Sequence, residues 1–296
     1  MDKTMRELQH FFETNEDLKI FAMNGSKVNQ NIHPDKFQDY DVVFFTDNLD
    51  KYKKESTFLN QFGDPLIVTV PDEKGHINHG LTFPEKDGYI YLAQYKDGTR
   101  IDMQFLLLSK LADYLTSDSL TKIIGDKEQL IKNSLIASDQ DYWQRQPDRA
   151  EIEYAIKEFW WQFNNSLKAT LRNDFLYAQN NINLTREELI RLITWVVAQE
   201  NGLNRSYGKA STQILPLLKV SEQEQLKKTF NTSSNENIYI ALKKMGQLHC
   251  HFLKELNNLL SLNLSKEMLE LHQVPSLFLR SKEEEKLAHY FIFQEK

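Results

Sequence analysis

Phe21-Ala22-Met23-Asn24-Gly25-Ser26, then a polar interval, then Phe37-Gln38-Asp39-Tyr40-Asp41-Val42-Val43-Phe44-Phe45: these residues decide the fold of the chain. The first run is short, apolar and broken by a glycine. The second has the pattern of a buried strand that opens on two aspartates. Side chains at i and i+2 of a strand share a face, so Asp39 and Asp41 project side by side. Two carboxylates in an apolar setting repel each other unless one is protonated or a cation lies between them. Mg²⁺ is a hard cation that takes oxygen ligands, commonly one or two carboxylates together with substrate phosphates. Gly25 permits a turn and a close backbone approach. Ser26 adds a hydroxyl and an N–H at a position that also reads as a helix start suited to phosphate. The plainer reading of the same residues is a surface turn with solvated aspartates.

Outward from this core, strand patterns fill the first half. Met5, Leu8, Phe11 and Phe12 recur at helical spacing over residues 4–16. Residues 47–62 read as a short helix ended by Gly63, and Leu66–Val70 as a strand stopped by Pro71. An irregular loop is expected over 72–87, with Gly75, Gly80 and Pro84. Tyr89–Tyr95 and Arg100–Phe105 flank Lys96-Asp97-Gly98-Thr99, and Asp-Gly is a strong hairpin signal. In the second of these strands Asp102 stands on the face opposite Ile101, Met103 and Phe105. It reads either as a third carboxylate beside the first two or as an edge aspartate facing water. Residues 109–137 look helical.

From about Ser138 to Asp148 the chain turns polar, and beyond it strand patterns vanish. Ile152, Ile156, Phe159, Phe163, Leu167 and Leu171 form a stripe at helical spacing. Thr185-Arg186-Glu187-Glu188 reads as a capping box opening a second helix, with Leu184 and Leu189 as its staple. Further helices are expected near 210–219, 221–230, 235–262 and 282–292. The organisation is α+β: a mixed-sheet domain over 1–140 and a helical bundle over 141–296.

Composition narrows the function. The chain has 296 residues, enough for two domains, and 41% are hydrophobic and 26% charged. With 10 glycines and 7 prolines there is no fibrous or low-complexity signature. Cys250 is the one cysteine, so no intramolecular disulfide forms, which fits a reducing cytoplasm. Neither a signal-peptide pattern nor an apolar run of about 20 residues is evident. No membrane partner is expected from such a chain, and a net charge of −6 disfavours nucleic acid and suits a cationic small substrate.

Gly25-Ser26 followed by Asp39-x-Asp41 resembles the signature of the nucleotidyltransferase superfamily that includes DNA polymerase beta. The fuller run Asn24-Gly25-Ser26-Lys27-Val28-Asn29, with Phe37-Gln38-Asp39-Tyr40-Asp41, is similar to the aminoglycoside 6-adenylyltransferases, which inactivate streptomycin. Arg100-Ile101-Asp102, Glu158-Phe159-Trp160-Trp161, Leu171-Arg172-Asn173-Asp174 and Gly208-Lys209 also resemble positions of that family. The likeness runs to about residue 210. It implies a nucleotidyltransferase domain and a helical substrate-binding domain, with substrate in the cleft between them. It further implies Mg²⁺ with ATP as cosubstrate, and transfer of AMP to a hydroxyl of an aminoglycoside, the 6-hydroxyl of streptomycin. By the same resemblance Asp39 and Asp41 would hold the metal. Asp102 would complete a second metal position or accept the attacking hydroxyl's proton.

Gly25, Ser26 and Lys27 would hold phosphate, although the family often has arginine where Lys27 stands, and a bidentate contact would be lost. Lys209 reads as a second contact to the triphosphate or as an exposed lysine. Glu158 and Asp174 are candidates for the acceptor's cationic groups or for a solvated helix face. Sixteen residues separate these two acids, so one straight helix would not align them, and a break at Asn164-Asn165-Ser166 would be needed. The aromatics after Glu158 continue the apolar stripe and read as core.

Other chemistries find little in the chain. Gly202-x5-Gly208-Lys209-Ala210 lacks the spacing, the following Ser/Thr and the preceding strand of a P-loop. There is no His-Glu-x-x-His, no Cys/His zinc spacing and no Gly-x-Ser-x-Gly elbow. His33, His76 and His79 fall in loops, and Cys250 reads as a buried apolar residue. Two rivals remain open: a nucleotidyltransferase with another acceptor, such as another aminoglycoside, a lincosamide or a protein, and a non-enzymatic binding protein on the same scaffold. The trio Asp39, Asp41 and Asp102 argues against the second.

Overall fold

The two apolar runs around Gly25 pair with each other. Strand β1 (Leu18–Asn24) lies antiparallel to β2 (Tyr40–Thr46), with Asn24 opposite Asp41. The computed structural model describes residues 2–54, 56–71, 87–132 and 135–293, and it divides the chain into two compact units, Met1–Asp141 and Tyr142–Lys296. In the first unit β3 (Pro65–Thr69), β4 (Gly88–Tyr95), β5 (Arg100–Leu107) and β6 (Lys122–Asp126) complete a sheet of order β3-β4-β5-β2-β1-β6. Only β2 and β5 are parallel among its neighbouring strands. His76 and His79, with the rest of the loop expected over 72–87 up to residue 86, lie outside the described residues.

Both faces of the central strands are covered, which is why β1 and β2 read as near-continuous apolar runs rather than alternating ones. Helix α1 (Lys3–Thr14) starts where the Asp2 carboxylate accepts from the Met5 N–H, and it lays Leu8, Phe11 and Phe12 on one face. There Phe21, Phe44, Phe105 and Tyr52 form a continuous stack, with centroids 4.7, 5.6 and 4.2 Å apart in turn. Helix α2 (Leu49–Lys54) and a 3₁₀ turn at Thr57–Phe62 stand where one helix was expected over 47–62. The other face buries Ile20, Ala22, Val43, Phe45 and Leu106 under Tyr114 of helix α3 (Leu111–Leu115).

The helix expected across 109–137 is a correction. Only Leu111–Leu115 is α-helical there, and Lys122–Asp126 is the edge strand β6, paired antiparallel with β1. Its Ile123-Ile124-Gly125 core is too short and mixed to show a period. Gly125 is there for contact, because a Cβ on it would stand 2.3 Å from the Phe12 ring.

In the second unit, α4 (Arg149–Leu171) opens with a reciprocal cap between Asp148 and Glu151. A turn with Asn173 at φ 56° joins it to α5 (Phe175–Asn201), making an αα-hairpin. Helices α6 (Val220–Lys228), α7 (Asn235–Leu260), α8 (Lys266–Glu270), α9 (Val274–Arg280) and α10 (Glu285–Tyr290) follow. Ile152, Ile156, Phe159, Phe163 and Leu167 of the expected stripe lie in the core with Leu189, Leu192, Ile193 and Val196. Phe291 and Phe293 fold back into the same core, where Gly246 of α7 leaves room for the Phe293 ring.

Two helix boundaries differ from expectation. Thr185 opens no helix: α5 runs straight through it, and its hydroxyl donates backward to the Asn181 carbonyl at 2.8 Å. A threonine hydroxyl satisfied by the i−4 carbonyl sits in a helix interior, so the capping pattern there is coincidental. Residues 210–219 hold 3₁₀ turns at Lys209–Ser211 and Leu215–Leu217 rather than an α-helix, interrupted by positive φ at Ala210 and Ser211 and by Pro216. Cys250 is half-buried, not fully buried.

The Phe12–Gly125 contact gives a test of the sheet's edge. Gly125→Ala should destabilise the protein by about 1–3 kcal/mol through overpacking, read in urea denaturation. Phe12→Leu in the same chain should recover part of that loss. A Gly125→Ala variant as stable as the parent would show that the Phe12 ring yields freely.

Candidate active site

Strand register builds one row of polar side chains across the sheet. Asp41 of β2 is flanked by Asn24 of β1 and by Asp102 of β5, each directly opposite it. Paired positions share a face, so the row lies on the side of Val43, Phe45 and Leu106, at the end where those apolar residues stop. Asp39 precedes β2 by one residue rather than starting it.

Arg100, two residues before Asp102 on the same strand, joins these acids. Its Nε and Nη2 donate to the two Asp102 oxygens at 2.9 and 2.7 Å, and its Nη1 lies 3.4 Å from Asp39. Those hydrogen bonds to Asp102, and then the charges of Asp102, Asp39 and Asp41, hold its guanidinium above the usual pKa. The planar fork suits a bidentate grip on a carboxylate.

The Gly25-Ser26 turn closes over the row. Gly25 has φ +74°, and a Cβ on it would fall 2.1 Å from Asp41 Oδ2, so only glycine fits beside that carboxylate. The carbonyls of Gly25 and Ser26 accept from the N–H groups of Val28 and Asn29, giving successive turns. Ser26 therefore lies in a turn and not at the helix start expected for it. The Gln38 amide donates to the Ser26 carbonyl at 3.1 Å and ties the turn to the aspartate stretch. Lys27 stands over the Tyr40 ring, 4.0 Å from its centroid. Beneath, the Tyr114 hydroxyl donates to the Asn24 side chain, whose amide donates to Thr121. Burial pushes the Tyr114 phenol up to about 12, so it stays a donor through the neutral range.

Three carboxylates offer only hard oxygen donors, the chemistry of Mg²⁺, Mn²⁺ or Ca²⁺ rather than of a soft metal. Asp39, Asp41 and Asp102 thus fit a divalent cation in donor type and charge, and Arg100 already balances part of that charge. They are spaced around a guanidinium rather than closed on one point. Among the described residues, the one set of three donors within 4.8 Å of one another is Glu222, His251 and Glu255. Lys219 also reaches both of those glutamates.

The remaining expected residues lie in the second unit. Lys209 is exposed on its 3₁₀ turn after Gly208. Glu158 is half-buried on α4, and its Oε1 accepts from Gln162 at 2.6 Å. Asp174 is exposed in the α4–α5 turn and caps nothing with its side chain. No break occurs at Asn164-Asn165-Ser166, because α4 is continuous to Leu171. Glu158 sits 13 residues before that end, about 20 Å along the axis, so the structure keeps it apart from Asp174. Trp160 is core, whereas Trp161 is 68% exposed.

Sequence reading missed Arg100 as a site residue, and its i, i+2 position before Asp102 was the available signal. It also missed Glu188, a carboxylate 8% exposed on α5. An acid one and four residues before the apolar Leu189 and Leu192 could have flagged it.

The family profile described as streptomycin adenylyltransferase matches residues 1–271. The aminoglycoside 6-adenylyltransferase of Staphylococcus aureus is 32% identical over 247 residues, covering 83% of this chain and 85% of that protein. That of Bacillus subtilis (strain 168) is 27% identical over 236 residues, 78% of this chain and 81% of that protein. A crystal structure of an aminoglycoside 6-adenyltransferase from Bacillus subtilis aligns over 96% of this chain and 97% of its own, at 20% identity and a TM-score of 0.43. Among the described residues no helix is long and apolar enough to cross a membrane.

The Gly25 turn can be tested directly. Gly25→Ala combines a strained positive φ with a collision against Asp41, and it should cost about 1–3 kcal/mol in urea denaturation. Unchanged stability would mean that the turn relaxes to negative φ and that the closeness to Asp41 is not required.

Proposed function

The chain belongs to the streptomycin adenylyltransferase family, and from that premise we propose that it transfers AMP from Mg-ATP to the 6-hydroxyl of streptomycin and releases pyrophosphate. What carries the reading is the register of β2 and β5, which sets Asp41 beside Asp102 under the Gly25-Ser26 turn. In this reading Asp39 and Asp41 hold the metal, and Gly25, Ser26 and Lys27 hold the triphosphate. Bound Mg²⁺ supplies positive charge to the phosphate oxygens where negative charge develops. Asp102 either completes a second metal position or takes the acceptor's proton. The acceptor oxygen then bonds to the α-phosphorus, and the bond from that phosphorus to the pyrophosphate oxygen breaks. Where Asp102 is the base, the acceptor's proton goes to its carboxylate, and AMP stays on the antibiotic. Arg100 keeps Asp102 oriented until substrate arrives. Use of ATP puts the reaction in the cytoplasm.

A family match leaves the acceptor to be read from the protein's charge. At net −6 the chain suits a polycation, and streptomycin carries guanidinium groups that pair with carboxylates in the two-point manner of Arg100 with Asp102.

Pyrophosphate release measured against a panel of aminoglycosides with each of four nucleoside triphosphates tests the proposal. ATP with streptomycin should give the highest rate. Release with no aminoglycoside, or a preference for another acceptor, would overturn it. Asp39→Asn and Asp41→Asn should each lower the rate on the order of 10²-fold or more while the fold stays intact. Most of the activity surviving in either variant would remove the metal assignment.

A further inference from the structure

One carboxylate in the helical unit is neither exposed nor satisfied. Glu188 lies within α5 at 8% exposure, and its Oε2 has no hydrogen-bond partner. Arg191, one turn on, places Nη1 3.1 Å from that oxygen, close enough for an ion pair but out of line for a hydrogen bond. A buried polar atom left without a hydrogen bond needs a reason. Burial pushes the Glu188 carboxyl above its usual range. Arg191 opposes that rise, while the charges of Glu158 and Glu187 add to it. Glu158, on the facing helix, has no cationic partner among the described residues. Two acids from two helices thus share a neighbourhood in which Arg191 is the one cation paired with either.

The surroundings suit a cationic ligand. Glu151, Tyr154 and Glu158 are spaced i, i+3, i+7 on α4, and Glu188, Arg191 and Trp195 have the same spacing on α5, so each set lines one helix face. Glu151, Tyr154, Arg191 and Trp195 line an open cavity of about 650 Å³, within the size range of small-molecule sites. Glu151 is already paired with Arg145. Arg191 has a side chain 48% exposed, so it can swing out, whereas Glu188 cannot.

We propose that Glu188 is the carboxylate that anchors the acceptor: a guanidinium or ammonium group of the antibiotic enters this groove, displaces Arg191 and donates to the Glu188 Oε2. Glu158 supplies a second negative charge, and Tyr154 and Trp195 offer ring faces to the cation and its sugar. This rests on the reading above that the acceptor is a cationic aminoglycoside. Arg191 then acts as a resident stand-in for that cation.

Calorimetric titration of streptomycin into the full chain without nucleotide tests it, with the parent protein, Glu188→Gln and Arg191→Gln compared. Glu188→Gln keeps the shape and should weaken binding on the order of ten- to a hundredfold, the loss expected for a hydrogen bond to a charged group. Its KM for ATP should not change, which a general loss of structure would alter. Arg191→Gln removes the competitor and should bind more tightly than the parent. Parental affinity in Glu188→Gln, or binding no tighter than the parent's in Arg191→Gln, would overturn the inference. Arg191 is accessible enough to change without disturbing the core, so its variant decides the matter even if Glu188→Gln fails to fold. No binding by the parent protein to streptomycin or to other aminoglycosides would remove the aminoglycoside reading itself, and this inference with it.

Discussion

Repulsion between carboxylates that cannot move apart governs the first unit. Asp41 and Asp102 are neighbours because β2 and β5 pair in one register, and that register also aligns Val42 with Met103 and Phe44 with Phe105 in the core. Sliding the strands by one residue would ease the repulsion but would turn every core side chain to the wrong face. The core thus outweighs the acids, and one end of the two central strands gathers negative charge. Arg100 is the internal answer, on the same strand and the same face. Its side chain remains half in solvent, so the grip is firm in geometry yet weakened by screening.

The helical unit treats its polar groups differently. His249 is fully buried, stacked 4.0 Å from Phe159, and burial pushes its pKa down to about 3, so it serves as a neutral ring in the core. Arg186 is buried too, but its guanidinium donates to Asn183 and to the hydroxyl and carbonyl of Thr229. Glu188 has only the misaligned Arg191. Arg186 and Glu188 show that burial alone says little, and that the match between a charged group and its partners separates the two.

Long elements were legible in the sequence because their pattern is local. The stripe from Ile152 to Leu167 and the runs before Gly25 and after Asp41 each carry their period within a few residues. The Asp-Gly hairpin was legible for the same reason. β6 was not, because five residues reading Lys-Ile-Ile-Gly-Asp gain their strand character from β1, about 100 positions earlier in the chain. Thr185 misled because its hydroxyl has two ways to be satisfied, and the sequence does not say which carbonyl or N–H will be near. The acids of the candidate site were visible as residue types. The pairing of Arg100 with them was not read, since whether a guanidinium is needed depends on how many carboxylates the fold gathers around it.

Phe291 and Phe293 bear on how the molecule is made. Both rings lie inside the core of the second unit, against Phe163, and Phe293 fills the space that Gly246 leaves open. Domains generally fold as units and in order during synthesis. The sheet unit has all its strands by Asp126, so it can form while the ribosome is still at work. The helical unit must wait with an open cavity where these phenylalanines belong, holding Trp160 and Phe163 exposed to other hydrophobic surfaces. Its period of greatest danger is therefore translational, and any pause before codon 291 lengthens it.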